Sequence, residues 1–296
     1  MTSTAIATPP NRRLRALLLM LVAGLVWSTG GLLVRSVSIT DGWEIVFWRS
    51  LFMVLFMASV LTAWHGERAP RVVRGIGPAG VLAGFFLSLT FFFFILSVTR
   101  TTVANTLVIM SIAPFAAAIF ARLFVGEMVP SRTWFAMAIA FSGIAVMFAD
   151  SLTVGDWLGN LLALGVPLAY ASNLTMLRRF GGAVDMAPTV MIAGLFSIVI
   201  ALPMGWPIEA SWRDIVVLAF MGVVQLGLGC LLMTVAIRHL RAAEVGLITL
   251  LETILGPIWV WLGVGERPTD PALVGASIVV GALLANELFG LIRKRP

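Results

Sequence analysis

The chain has 296 residues, of which 60% are hydrophobic and 11% charged, with a formal net charge of +6. An ordinary soluble domain is about 45–50% apolar and about 25% charged, so this composition excludes a water-soluble globule and a disordered chain alike and fits a bundle of membrane-spanning helices. The basic excess sits in short loops between apolar runs, which argues against nucleic acid as a partner, and a lone cysteine (Cys230) with two histidines supports neither a disulfide nor a metal site, nor is any cofactor expected.

Residues 1–13 form a short polar tail ending in Asn11, Arg12 and Arg13. The apolar stretch 14–34 is long enough to cross a bilayer and reads as a retained first helix rather than a cleaved signal peptide. Further spans are expected at 43–63, 76–98, 103–125, 132–149, 156–177, 188–204, 214–236, 243–264 and 271–292, before a basic tail at 293–296. Most approach the ~20 residues that a hydrocarbon core needs at about 1.5 Å per residue. The seventh is short and is bounded by Pro188 and Pro203. These unbroken runs exclude a transmembrane β-barrel, whose strands alternate over about 10 residues. The expected fold is therefore all-α and integral to the membrane, with ten helices.

Loop charge sets the orientation. With the N-terminus in the cytoplasm, that side collects Arg12, Arg13, Arg15, Arg68, Arg71, Arg74, Arg132, Arg178, Arg179, Arg238, Arg241, Arg293, Lys294 and Arg295. The opposite side receives Arg35, Arg100, Arg213 and Arg267. The asymmetry predicts that both termini are cytoplasmic and that the number of spans is even. Trp43, Trp48, Trp64, Trp157, Trp206 and Trp212 fall mostly near span ends, as interfacial anchors do.

The two halves echo each other. Trp27-Ser28-Thr29-Gly30-Gly31-Leu32-Leu33-Val34-Arg35 parallels Tyr170-Ala171-Ser172-Asn173-Leu174-Thr175-Met176-Leu177-Arg178. The fourth span ends Phe124-Val125-Gly126-Glu127 and the ninth Gly263-Val264-Gly265-Glu266. Residues 14–149 and 156–292 thus read as two five-helix copies; five being odd, the second enters the membrane inverted.

These features, with Leu251-Glu252 followed by Pro257, resemble the drug/metabolite transporter superfamily in its EamA-type branch. Within it, Trp27-Ser28-Thr29 and Leu32 to Arg35 are similar to YddG-type amino-acid exporters. The resemblance implies a bacterial inner-membrane exporter of amino acids or related metabolites, built from two pseudo-symmetric halves around a central cavity.

Polar groups inside a span are costly and are the first functional candidates. Glu252, about 13 Å deep in the ninth span, is placed to meet a substrate ammonium or carry a proton, or else to serve as a hydrogen-bonded structural acid. Asn173 and Gln225 present both donor and acceptor, and Ser28, Thr90 and Ser111 add hydroxyls. Trp27 and Tyr170 would pack a substrate side chain, as the Phe91 to Phe94 run could in part. For any one of these residues, ordinary interhelical bonding or packing is the competing role. Arg49 could hold a carboxylate, but snorkelling toward the extracellular face is the favoured reading; Arg122 reads as an anchor, Glu287 as half of a local ion pair, and Glu127 and Glu266 as braces. Pro114, Pro167 and Pro257 interrupt span interiors and are the candidate hinges. The small-residue ridges Ala136-xxx-Ala140 and Ser277-xxx-Gly281-xxx-Ala285 are expected to pack inside the bundle, so a monomer suffices.

No P-loop, dinucleotide fingerprint, nucleophile elbow or zinc-protease motif is present, so an enzyme is not expected. The leading expectation is a gradient-driven exporter of neutral, apolar or aromatic amino acids. Export of other organic metabolites or hydrophobic cations is the alternative, and an intramembrane lipid-modifying enzyme is the reading from a different class.

Overall fold

The computed structural model describes residues 10–126, 128–154, 156–180, 186–236, 239–240 and 242–292. Among these residues every regular element is a helix. The basic positions Arg238, Arg241 and the C-terminal 293–295 lie outside them, as does Glu127, and the side chains of Arg178, Arg179, Ala243 and Glu287 are likewise not described.

The first apolar run forms two helices, α1 (Pro10–Ser28) and α2 (Gly30–Ser36), separated at Thr29. Helix α3 (Gly42–His65) starts where the Asp41 carboxylate accepts the Trp43 N–H at 2.9 Å, satisfying a backbone donor that would otherwise be orphaned. It ends at Gly66, whose φ of 54° favours glycine. A short helix α4 (Ala69–Gly75) leads to α5 (Gly77–Val98). The fourth run is again split, into α6 (Val103–Met110), capped by the Thr102 hydroxyl, and α7 (Ala113–Phe120), which continues as a π turn over Ala121–Val125. Then follow α8 (Ser131–Val154), α9 (Trp157–Phe180) and α10 (Met186–Met204). The eighth run begins as α11 (Trp212–Phe220), with a reciprocal cap between Ser211 and Asp214, widens into π-helix over Met221–Leu228 and resumes as α12 (Gly229–Ala236). Helices α13 (Ala242–Val264) and α14 (Asp270–Ile292) complete the chain.

Among the described residues, six helical stretches are long and apolar enough to cross a membrane, and three more apolar helices are shorter. The protein is thus a multi-pass helical membrane protein. The seventh run is longer than expected: Pro188 sits in the first turn of α10, where no backbone donor is missed, and Pro203 in its last. The candidate hinges differ among themselves. Pro114 stands in the first turn of a new helix after a real break at Ser111-Ile112, whereas α9 and α13 run through Pro167 and Pro257.

Helix α5 packs along α9, α3 along α10, and α8 along α14; α1 lies against α12 and α13, α6 against α9 and α13, and the π segment against α3. The largest apolar cluster joins Val34, Ile45, Phe92, Ile95, Val103, Leu218 and Val260. A second joins Met137, Ala140 and Ile144 of α8 to Val279 and Leu283 of α14. Here two backbones approach each other reciprocally: a Cβ on Gly143 would come within 2.7 Å of the Gly275 carbonyl oxygen, and one on Gly275 within 2.6 Å of the Gly143 oxygen. The Ala136/Ala140 ridge is buried as expected, but Ser277, Gly281 and Ala285 face outward. The buried side of α14 instead carries Ala272, Gly275, Val279 and Ala282, a second face of mostly small residues, on which Gly275 lets the α8 backbone approach at Gly143.

Gly275→Leu should therefore lower the melting temperature of the detergent-solubilised protein, with a cost of about 1–3 kcal/mol from overpacking. Gly281→Leu on the same helix, with no atom within 4 Å of its Cβ position, should leave it unchanged.

Candidate functional site

A polar side chain in the hydrocarbon region must find a partner inside the protein or remain costly. Several hydroxyls solve this within their own helix. Ser28 Oγ donates to the Leu25 carbonyl at 2.7 Å, Thr90 Oγ1 to Leu87 at 2.6 Å and Ser111 Oγ to Val108 at 2.6 Å. Thr90 and Ser111 therefore have their protons committed and retain only lone pairs for other partners. Asn173 is buried and donates from Nδ2 to the Ala83 carbonyl at 2.6 Å, joining α9 to α5. Its immediate work is interhelical bracing.

Ser28, Trp27, Gln225 and Gly30 come together where α1 gives way to α2. Ser28 Oγ also accepts the indole N–H of Trp259 from α13 at 2.9 Å, a bond between residues 231 positions apart. Gln225 Nε2 approaches the Trp27 carbonyl at 3.4 Å and packs against Gly30, while Gln225 Oε1 is buried without a partner among the described residues. The Trp27 indole is half-buried and touches Gly229, where any side chain would collide with its Nε1. Tyr170 is half-buried on α9.

Glu252 is half-buried on α13, and its carboxylate makes no hydrogen bond or ion pair among the described residues. Four exposed large residues of this helix, Ile254, Ile258, Trp261 and Leu262, share one face. At about 100° per residue, Glu252 lies on the order of 135° from the middle of that face, on the side of buried Ile248 and Gly256. Its residual exposure is therefore toward the bundle interior rather than toward lipid.

Arg49 corrects an expectation. It does not snorkel: it is 1% exposed, and its guanidinium turns inward, with Nη2 3.3 Å from the Phe91 carbonyl and its carbon 5.7 and 6.0 Å from the Phe91 and Phe94 ring centroids. The aromatic rings of α5 supply a favourable face for the cation that the lipid route would not. Glu44, one turn earlier on α3, serves elsewhere, accepting the backbone N–H groups of Glu209 and Ala210 at 2.9 and 2.7 Å.

A polar clasp closes the end of the bundle that holds Ser36 and Val98. Arg35 Nε meets Glu266 Oε2 at 2.6 Å, both side chains being partly exposed, and Arg35 Nη2 donates to the Thr101 carbonyl at 2.8 Å. Glu266 Oε1 accepts the Val103 N–H at 2.8 Å, and Thr101 Oγ1 donates to Asn160 Oδ1 at 2.9 Å. Glu266 thereby braces three segments, while its sequence counterpart Glu127 lies outside the described residues. At the mouth of this clasp burial pushes the Asp156 carboxyl up, with Arg35 pulling it down and Glu266 adding to the rise. An apolar recess of about 490 Å³ between α3 and α4 is lined by none of the candidate polar residues.

Sequence reasoning missed Trp259 and the π segment. The glycines at 222, 227 and 229 were the available signal for the latter, since a widened helix that presses on α3 and on Trp27 needs residues without side chains there. Trp259 carried no signal, because a tryptophan in an apolar run reads as packing.

The sequence matches the EamA-like transporter family over residues 14–149 and 157–286. It is 24% identical over 278 residues to the pseudopaline exporter CntI of Pseudomonas aeruginosa (strain UCBPP-PA14), covering 90% of this chain and 94% of that one. It is 20% identical to the uncharacterized transporter YwfM of Bacillus subtilis, over 90% of this chain and 92% of the relative, and 24% identical to human solute carrier family 35 member G1, over 93% and 78%. A solved crystal structure matches with a TM-score of 0.64 at 16% identity, over 95% of this chain and 99% of its own, a likeness of fold alone.

Because the Ser28–Trp259 bond joins the first and ninth runs, Ser28→Ala and Trp259→Phe should each lower stability by about 1 kcal/mol. Their double mutant should fall short of the sum, as a thermal-denaturation cycle would register.

Proposed function

Since the chain belongs to the EamA-like transporter family, we propose that it is a secondary exporter of small zwitterionic metabolites, with neutral amino acids bearing apolar or aromatic side chains as the leading substrates. The observation that carries this reading is Glu252, an unpaired carboxylate within the bundle and turned away from lipid. An ammonium group is its natural partner. Gln225 offers an acceptor unpaired among the described residues, and Trp27 and Tyr170 offer apolar rings that are not fully buried. Thr90, Ser111 and Asn173 shape the walls through bonds already made. Similarity to a protein named as an exporter of pseudopaline supports metabolite export more broadly than amino acids.

The reading includes ten spans in two inverted halves, 14–149 and 156–292, with both termini in the cytoplasm of a bacterium and the chain in its inner membrane. The packing pattern supports it. If the first five runs correspond in order to the second five, then α5 on α9 is the counterpart of α12 on α1, and α6 on α9 the counterpart of α13 on α1. The α3–α10 and α8–α14 pairs then map onto themselves. Alternating access follows as rocking of one half against the other, driven by a substrate or ion gradient. The break at Ser111-Ile112 before Pro114 supplies a hinge, with the continuous kinks at Pro167 and Pro257 bending rather than folding. The Arg35–Glu266 clasp then holds the extracellular end shut, and opening that end must break it.

A second reading, export of hydrophobic cations, is favoured by the same unpaired Glu252. The two separate on one variant. In proteoliposomes, Glu252→Gln should raise the apparent KM for a transported neutral amino acid about tenfold in the first reading. In the second it should abolish cation efflux while amino-acid counterflow is absent from the start. Counterflow of no amino acid at millimolar concentration would remove the amino-acid reading.

The clasp makes its own prediction. Glu266→Gln should increase labelling by a membrane-impermeant thiol reagent of a cysteine introduced at Thr90 or Ser111, because loss of a partly exposed ion pair worth on the order of 1 kcal/mol shifts the population toward the open end. The exchanged pair Arg35→Glu with Glu266→Arg should restore part of the protection.

A further inference from the structure

Arg49 is a full positive charge with no counter-charge. It is 1% exposed, and among the described residues no carboxylate lies within ion-pair distance of it. Among the described residues its one hydrogen bond, to the Phe91 carbonyl, is 3.3 Å long, and its Nε–H has no partner. The nearest acid in sequence, Glu44, is held by two backbone N–H groups of the segment before α11. Burying a guanidinium with so few partners is among the least favourable arrangements in a protein, and two aromatic faces recover only part of the loss.

The surroundings hold a matching defect. Gln225 Oε1, buried in the π segment, is an acceptor without a donor among the described residues. Phe94 links the two residues: its ring centroid is 6.0 Å from the Arg49 guanidinium carbon, and its edge is 3.7 Å from where a Cβ of Gly30 would stand, a position that Gln225 Nε2 also crowds at 2.7 Å. Gly222, in the same π segment, packs on the Arg49 backbone. Cys230 packs in one cluster with Phe91 and Trp27, and Trp27 also packs with Ile248 and Leu251 of α13, next to Glu252.

We propose that Arg49 is the carboxylate-binding element of the translocation site, so that the cargo is a zwitterion whose acid group meets Arg49 while its ammonium meets Gln225 Oε1 and Glu252. This rests on the exporter reading above and adds to it the half of the substrate that Glu252 does not address. A simple cation would leave the guanidinium unpaired, and a simple anion would leave Gln225 Oε1 and Glu252 unpaired. One molecule carrying both groups satisfies all three. The planar guanidinium fork suits a carboxylate in a way that an ammonium on a lysine does not.

The test uses the purified full-length protein and three probes: phenylalanine, phenethylamine (no carboxylate) and 3-phenylpropanoate (no amine). Tryptophan fluorescence or thermal shift measures binding, and counterflow measures transport. The expected order is phenylalanine tightest, with the amine and the acid each weaker by at least about tenfold. Arg49→Gln should weaken phenylalanine to the level of phenethylamine and leave phenethylamine itself unchanged. Arg49→Lys, which keeps the charge but loses the fork, guards against a variant that fails to fold and should lie between. Phenethylamine binding as tightly as phenylalanine, or folded Arg49→Gln or Arg49→Lys binding phenylalanine as the native protein does, overturns the assignment while leaving the exporter reading intact. Phenylalanine binding that depends on Arg49 with no counterflow by the native protein keeps the site and removes the exporter reading.

Discussion

Every polar group that this chain carries into the bilayer has to be satisfied by the chain itself, and most features of the structure follow from that constraint. Hydroxyls bond back to their own helix, as at Ser88, Ser197 and Thr234. Amides reach neighbouring helices, as Asn173 does. Charges at the ends of runs gather into the Arg35–Glu266 clasp. Among the described residues the buried polar atoms left without a partner are Arg49 Nε, Ser50 Oγ, Asn105 Oδ1, Arg132 Nε, Asn160 Nδ2 and Gln225 Oε1. The proposed function is a statement about what satisfies Arg49 and Gln225, together with the Glu252 carboxylate.

The broken helices serve the same end. A run split at Thr29, another at Ser111-Ile112 and a third widened over Met221–Leu228 all expose backbone that a straight helix would hide. Such irregularity is tolerated in a membrane only where protein or water surrounds it. Its placement beside Trp27, Gln225 and Gly30 ties the irregular backbone to the unsatisfied side chains. Local distortion and unpaired chemistry coincide, as expected where structure is held away from its own optimum for function.

Much of this was legible in the sequence. Long apolar runs, loop arginines and the two Gly-Glu endings carried the helical, membrane-embedded class, the family and most element boundaries to within a few residues. The site was legible only in part, and the reason is physical. Composition and period reveal that Glu252, Asn173 and Gln225 lie inside spans, but not whether each already has a partner. Asn173 has one, on α5; Glu252 has none among the described residues. Arg49 was read as snorkelling because depth along a helix was all the sequence offered, and the direction of a long side chain depends on which rings face it. The Ser277/Gly281/Ala285 ridge failed for a related reason, since small residues permit close packing without saying which face is used.

The contact between Gly143 and Gly275 has a mechanical consequence. With main chain resting on main chain, neither α8 nor α14 can rotate about its axis without driving a bulkier neighbour into the other's backbone. The two helices are obliged to travel together, as one strut. Rearrangement of the remaining helices is then absorbed where that strut is joined to the rest of the chain: between Gly126 and Pro130, between Val154 and Trp157, and from Gly265 to Thr269. Two of these three joints begin with a glycine of positive φ, 79° and 74°. A pair of helices locked backbone to backbone is thus attached in part through two of the chain's most permissive backbone positions.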